Sequence, residues 1–242
     1  MELPKTKVPA ETQDPRQLIV FSKFKVGKTT ALSELPNNLI VDTENGSSFV
    51  SALKIKVNSI KDINDLCKSL KEANCPYDFI TIDTVTMLED MCKPLALKLY
   101  QNTPAGAGYD GDVLNAPNGA GYGHLRAAIE MVINKIGDCT KNLILVCHSK
   151  DAAIDKNELT VKQIDLFGKS GRILSAKADA IGYLYRDDNS NTILSFNTNN
   201  KFIECGARPE HLKNADIVLG EMGEDGKLTF HWERVFPSLC KK

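Results

Sequence analysis

The segment Ser22-Lys23-Phe24-Lys25-Val26-Gly27-Lys28-Thr29 constrains the fold of this 242-residue chain more than any other stretch. It follows the short apolar run Leu18 to Phe21 and opens a helical pattern. It fits the phosphate-loop spacing G-x-x-x-x-G-K-[ST], with Ser22 in place of the first glycine. In such a loop, successive main-chain N–H groups curl round a β-phosphate, and the start of the following helix adds partial positive charge. Gly27 lets the backbone approach the anion closely. Lys28 is expected on the β- and γ-phosphates and the Thr29 hydroxyl on a Mg²⁺ ion, with Thr30 closing the segment. Ser22 suits the first position if its φ is negative, because only a positive φ demands glycine. The ligand expected along Ser22 to Thr30 is therefore ATP with Mg²⁺.

Three later apolar runs end in polar groups of the types such a ligand needs. Phe79-Ile80-Thr81-Ile82-Asp83 has the form of a Walker B strand, with Asp83 at its tip to hold Mg²⁺ through the ion's water shell. Leu39-Ile40-Val41-Asp42 is followed by Thr43-Glu44-Asn45-Gly46, and ligands of doubly wound sheets gather at the carboxyl ends of strands. Glu44 is thus expected to orient a water at the γ-phosphate, with Asp42 as the alternative. Leu143 to Cys147 leads into His148-Ser149-Lys150, where His148 is a candidate γ-phosphate sensor and Cys147 reads as a small buried residue rather than a nucleophile.

These runs alternate with helical patterns over Lys28 to Leu35, Ile60 to Ala73 and Leu125 to Ile136, which is the signature of βαβ units around a mostly parallel sheet. Near-continuous apolar strands imply helices on both faces. Beyond residue 175, Ala180 to Arg186, Thr192 to Asn197 and Leu228 to Trp232 are joined by Asp, Asn and Gly turns and suggest antiparallel strands added at a sheet edge. The fold class expected is α/β, with one domain over 17–236, a mobile leader over 1–16 and a short tail over 237–242. Gln101 to Gly123, rich in Gly, Ala and Asn, reads as a mobile loop.

The net charge of −1 gives no global attraction to phosphate backbones or anionic lipid. No run reaches the roughly 18 apolar residues of a membrane span, and residues 1–16 lack the apolar core of a signal peptide. A cytoplasmic protein without a membrane partner is expected. Seven scattered cysteines, none in a C-x-x-C pair, read as reduced thiols, and no zinc-like Cys/His spacing occurs.

With VGKTT, LIVDTEN, FITIDT and LILVCHSK in this order, the chain resembles the RecA-type core, and specifically the single-domain RecA-like ATPases of bacteriophages. These include single-strand annealing and recombination proteins and many described only as AAA-type ATP-binding proteins. The resemblance runs from about Gln17 to Arg208. It implies Lys28 and Thr29 as phosphate and Mg²⁺ ligands, Asp83 as the Walker B acid, Glu44 as the catalytic glutamate and His148 as the sensor. It also implies homo-oligomers whose sites are completed in trans by a basic residue, for which Arg208 is the candidate and Lys201 the runner-up. Lys23 stands where partition-type ATPases carry a second signature lysine. Those proteins follow it with paired glycines, whereas Phe24 and Lys25 stand here, so Lys23 and Lys25 read as solvated loop charges.

The resemblance further implies single-stranded DNA as partner, met by mobile loops at 101–123 and at Ser149 to Arg172. Tyr109, Tyr122 and Phe167 are the aromatics there that could stack on bases. The lysines of the second loop are nearly offset by Asp151, Asp155, Glu158 and Asp165. The leading expectation is an ATPase acting on single-stranded DNA in recombination, annealing or replication, in the host cytoplasm if phage-encoded. An ATP-dependent assembly switch with little turnover and a small-molecule kinase are the alternatives.

Overall fold

The computed structural model describes Leu3, Thr6, residues 13–153 and residues 160–241. Most of the expected leader, together with Asp155, Lys156, Glu158 and Lys242, lies outside the described residues. In chain order the strands are β1 (Gln17–Ser22), β2 (Asn38–Asp42), β3 (Lys54–Lys56), β4 (Phe79–Asp83), β5 (Asn142–Ala153), β6 (Thr160–Ile164), β7 (Ala180–Arg186), β8 (Thr192–Ser195), β9 (Gly206–Ala207), β10 (Asp216–Met222) and β11 (Leu228–Phe230). The helices are α1 (Lys28–Ser33), α2 (Ile60–Glu72), α3 (Val85–Gln101), α4 (Ala120–Gly137) and α5 (Ser170–Lys177).

These strands form one mixed sheet in the order β11-β10-β8-β7-β1-β5-β4-β2-β3, with β6 added to β5 and β9 to β7. From β7 to β3 along that order every pairing is parallel, because the helices between successive strands return the chain to the same end. Beyond β7 the pairings with β8, β10 and β11 are antiparallel, as the turn-rich C-terminal sequence suggests. β7 itself runs parallel to β1 and antiparallel to β8 and β9, so it joins the two halves rather than belonging to the antiparallel edge alone.

The period of two along the strands divides the core. Ile19, Phe21, Leu39, Val41, Ile80 and Ile82 point to the face covered by α2, α3 and α4, whereas Leu18, Val20, Ile40 and Ile144 point to the face covered by α1. Trp232, Val235 and Phe236 close that second face, and the Trp232 indole N–H donates to the carbonyl of Ala31 at 2.7 Å. Asn38 is the polar tie beneath α1: its amide donates to Leu32 O at 2.9 Å and its oxygen accepts from the buried Thr81 hydroxyl at 2.9 Å. With these groups satisfied, α1 is fixed against the sheet without a buried polar penalty.

Of the two segments expected to be mobile, 101–123 is structured, and so are the described parts of Ser149 to Arg172, residues 154–159 lying outside the described residues. The stretch 101–123 turns through two 3-10 elements, Val113–Asn115 and Pro117–Gly119, and α4 begins at Ala120 rather than at Leu125. Its small residues serve close packing: a Cβ on Gly106 would stand 2.1 Å from Tyr100 O, and one on Gly121 would stand 1.5 Å from Val113 O. The stretch after His148 continues β5 and pairs it with β6 in an antiparallel ribbon, Ser149 opposite Ile164 and Lys150 opposite Gln163. The long helix α3 retains Pro94 within it, and all seven cysteines are free thiols. Among the described residues, no helix is long and apolar enough to cross a membrane.

Gly121→Ala is therefore expected to destabilise the protein by about 1–3 kcal/mol through overpacking. Gly123→Ala, where an added Cβ meets nothing within 4 Å, should be neutral or slightly stabilising by helix propensity. Urea denaturation of the two variants checks this, and equal midpoints would contradict the close-packed account of the segment.

Candidate functional site

The parallel register gathers four strand ends at one rim of the sheet. Ser22 on β1 is level with His148 on β5, Asp83 on β4 with Val146, and Asp42 on β2 with Asp83. Sequence positions 22, 42, 83 and 148 are thereby brought together by the fold, as expected for an α/β sheet whose ligands sit beyond its carboxyl ends.

Between β1 and α1 the loop turns through two left-handed residues, Lys25 at φ 61° and Gly27 at φ 101°. Such alternation makes a concave run of N–H groups, a shape that binds anions. None of the backbone N–H groups from Lys25 to Thr30 donates to a described group; the first that does is Ala31, to Gly27 O at 2.9 Å. Ser22 lies in strand conformation and needs no glycine. Its hydroxyl donates to Lys23 O at 2.7 Å and accepts from Lys28 Nζ at 3.0 Å, while Lys28 Nζ also reaches Lys23 O at 3.2 Å. Lys28 is only 7% exposed. Burial lowers its pKa from the ordinary lysine range, with the charges of Asp83 and Glu44 opposing.

Thr29 Oγ1 donates to Asp83 Oδ2 at 2.7 Å, so the two residues expected to share a cation touch. Burial holds the Asp83 carboxyl above the usual carboxylate range, the Thr29 hydrogen bond opposes that shift, and the nearby Glu44 charge adds to it. Hydroxyl and carboxylate oxygens are hard donors that suit Mg²⁺. Among the described residues no group of three or more His, Cys, Asp or Glu could hold a metal ion. A cation here would take its remaining ligands from phosphate and water, as Mg²⁺ commonly does.

Glu44 and His148 meet above this pair. Glu44 Oε1 lies 2.7 Å from His148 Nε2 and accepts from the Thr84 hydroxyl at 2.6 Å. The His148 hydrogen bond is the main reason the Glu44 carboxyl sits below its ordinary range, against an opposing desolvation, so it is a charged acceptor at neutral pH. Asp42, the alternative, is engaged in the turn: it accepts from the N–H groups of Glu44 and Ser47 and from the Ser47 hydroxyl. Thr84 also caps α3, accepting from Met87 N at 3.3 Å. The buried Cys147 thiol is pushed up by desolvation, which fits a packing residue.

Phe24, 67% exposed at the loop tip, lays its ring against His148 with centroids 4.2 Å apart. Lys23, Lys25 and Thr30 are exposed, and Val26 is half-buried. Arg208 is not brought to the rim. It follows β9, which pairs with the start of β7, and its guanidinium binds Asp179 at 3.3 Å and Ala176 O at 2.8 Å. Asp179 in turn accepts from the N–H groups of Arg16 and Gln17 at the entry to β1. Arg208 therefore stands at the opposite end of the sheet from its own phosphate loop and cannot serve it; the role expected of it is in a neighbouring protomer's site, which its place within one chain does not contradict. Arg186, at the carboxyl end of β7, does stand beside the loop, with Nε 3.4 Å from Val26 O. Sequence reasoning missed it because only the β1–β7 pairing puts it next to the loop. A cavity of about 830 Å³ lies at the entry ends of β1, β4 and β5, away from these groups.

One buried acid ties α3 to the segment after β6. Glu89 accepts from Phe167 N through both carboxylate oxygens, at 3.1 and 2.9 Å. Thr86 spans the same gap, its hydroxyl donating to Asp165 O at 3.4 Å, and it also accepts from His148 N on β5 at 3.2 Å. Burial raises the Glu89 carboxyl to about 7, with the Phe167 N–H opposing.

A family model described as an AAA domain, AAA_24, matches residues 14–208. No curated protein matches the chain. Among solved structures, the crystal structure of the RadB recombinase is similar at 13% identity, over 88% of this chain and 90% of that chain, with a TM-score of 0.45, too low to carry residue roles across.

Since the folded pKa of Glu89 lies above the unfolded one, protonation favours the fold. That contribution is fully present below the unfolded value of about 4.3 and is lost as pH rises through about 7. The stability of the parent chain relative to Glu89→Gln should therefore fall by about 3 kcal/mol between pH 4 and pH 8. Urea denaturation at both pH values checks the sign; a difference that grows with pH would contradict it.

Proposed function

The chain belongs to the AAA domain family, and from that premise we propose that it is a Mg²⁺-dependent ATPase that works on single-stranded DNA as a homo-oligomer. The observation that carries the nucleotide reading is the run of N–H groups from Lys25 to Thr30 with no acceptor among the described residues, set beside the buried Lys28 ammonium and the Thr29–Asp83 pair. Buried or half-buried donors without partners cost free energy unless water or a ligand satisfies them. A triphosphate supplies the acceptors that this run of N–H groups lacks.

On this reading Lys28 leaves Ser22 and Lys23 O for the β- and γ-phosphate oxygens, and Thr29 with Asp83 would hold the cation. Mg²⁺, when bound, neutralises charge on the phosphates and helps align them. Glu44, ionised and fixed by Thr84 and His148, accepts a hydrogen bond from the water that attacks the γ-phosphorus, and His148 reports the state of the site to the β5–β6 ribbon.

The DNA reading is supported by a surface at the start of α4 and α5. Tyr122 and Phe167 are each 44% exposed, and a pocket there is lined by Tyr122, Arg126, Gly168 and Lys169. Lys150 and Lys162 are paired with Asp165 and Asp151. Arg126, Lys169 and Arg172 have no acidic partner among the described residues. Exposed rings beside unpaired cations suit stacked bases and a phosphate backbone. Tyr109 is used otherwise, packed edge-on against Tyr100 with its hydroxyl on Asp112 O.

Lys28→Ala should abolish ATP binding, whereas Glu44→Gln should bind ATP with near-parental affinity and lose at least about 100-fold in turnover. Phosphate release measured with and without single-stranded DNA tests the rest. Stimulation that weakens as salt rises is expected, and a rate indifferent to DNA would remove DNA from the account.

A further inference from the structure

Arg186 ends β7, the neighbour of β1 on the side away from β5. Phe21 is level with Tyr183, so Arg186 extends past the last β1 residues to the height of the phosphate loop. Its Nε–H donates to Val26 O at 3.4 Å and its Nη1–H to Ser190 O at 2.8 Å. Its Nη2 lies 3.3 Å from the point where a Cβ on residue 27 would stand, so glycine there also makes room for the guanidinium.

The carbonyl of Val26 shares a peptide plane with the N–H of Gly27. This peptide is trans, the Asp83–Thr84 bond being the cis peptide among the described residues. In a trans peptide the C=O and N–H vectors point in opposite directions. A cation that holds Val26 O on the outer side of the loop therefore turns the Gly27 N–H towards the concave side. The plane needs holding, because a peptide flip rotates ψ of residue 26 and φ of residue 27, and glycine at φ 101° resists that rotation least. Across the loop, Lys28 is fixed separately through Ser22 and Lys23 O, so Arg186 constrains a peptide that the lysine does not.

We infer that Arg186 is a positioning residue for nucleotide binding: it clamps the Val26–Gly27 peptide from behind, so that the Gly27 N–H is presented to the phosphate chain. This rests on the phosphate-loop reading above. The parent chain's binding of MgADP tests that reading by itself, and the comparison with Arg186 variants tests the clamp.

The experiment titrates parent and Arg186→Ala with MgADP by calorimetry, with and without guanidinium ion at tens of millimolar, and follows the Gly27 amide resonance in both. Arg186→Ala is expected to keep the parental melting temperature, to bind MgADP about tenfold more weakly, and to show a much reduced ADP-dependent shift at the Gly27 amide. Guanidinium should recover most of the lost affinity and the shift in the variant and leave the parent unchanged. Affinity within twofold of the parent would overturn the clamp. So would a loss that guanidinium does not restore, or one that leaves the Gly27 shift intact, which would mean that Arg186 touches the nucleotide instead. If the parent itself binds no MgADP, it is the phosphate-loop reading that has failed.

Discussion

The run of main-chain N–H groups from Lys25 to Thr30 has no acceptor among the described residues, and the surrounding structure keeps it in that state. Two left-handed residues hold the loop concave, the buried Asn38–Thr81 tie and the Trp232 indole pin α1 beneath it, and Lys28 is parked on groups it can leave at small cost. A site that must bind a highly charged anion tightly is best built from donors that need not be released from other partners first.

Around that loop the hydrogen bonds form a connected set. Thr29 meets Asp83, whose neighbour Thr84 donates to Glu44, and Glu44 in turn holds His148. His148 touches Phe24 at the loop tip through its ring and Thr86 on α3 through its backbone N–H. From there the segment after β6 is bound by Glu89 through Phe167. The phosphate loop, the strand ends and the ribbon that leads to the basic, aromatic surface thus share bonded neighbours.

Much of this was legible in the sequence because strand-end chemistry is local. The runs ending at Ser22, Asp42, Asp83 and Cys147 are apolar throughout, and the polar residues that follow them have to emerge at the rim. The choice between Glu44 and Asp42 was not legible: both stand at the same strand end, and only the Ser47 turn shows that Asp42 is occupied. The structure of segment 101–123 is not legible in composition, because glycine and alanine signal looseness there yet serve close contact when a helix crosses a turn, as Gly121 does over Val113. Arg186 carried no motif at all; its role depends on which strand lies beside β1, a fact of tertiary pairing. The place of Arg208, expected to act in a neighbouring protomer's site, was not legible either: the β9–β7 pairing puts it at the far end of the sheet from its own loop.

The most direct test of the account is hydrogen–deuterium exchange at the amides of Lys25 to Thr30, with and without MgATP. Those amides should exchange fast in the free protein and become the most strongly protected segment on adding nucleotide. Protection already present without nucleotide, or arising elsewhere while this segment stays unchanged, would contradict the claim that these main-chain donors await a phosphate chain.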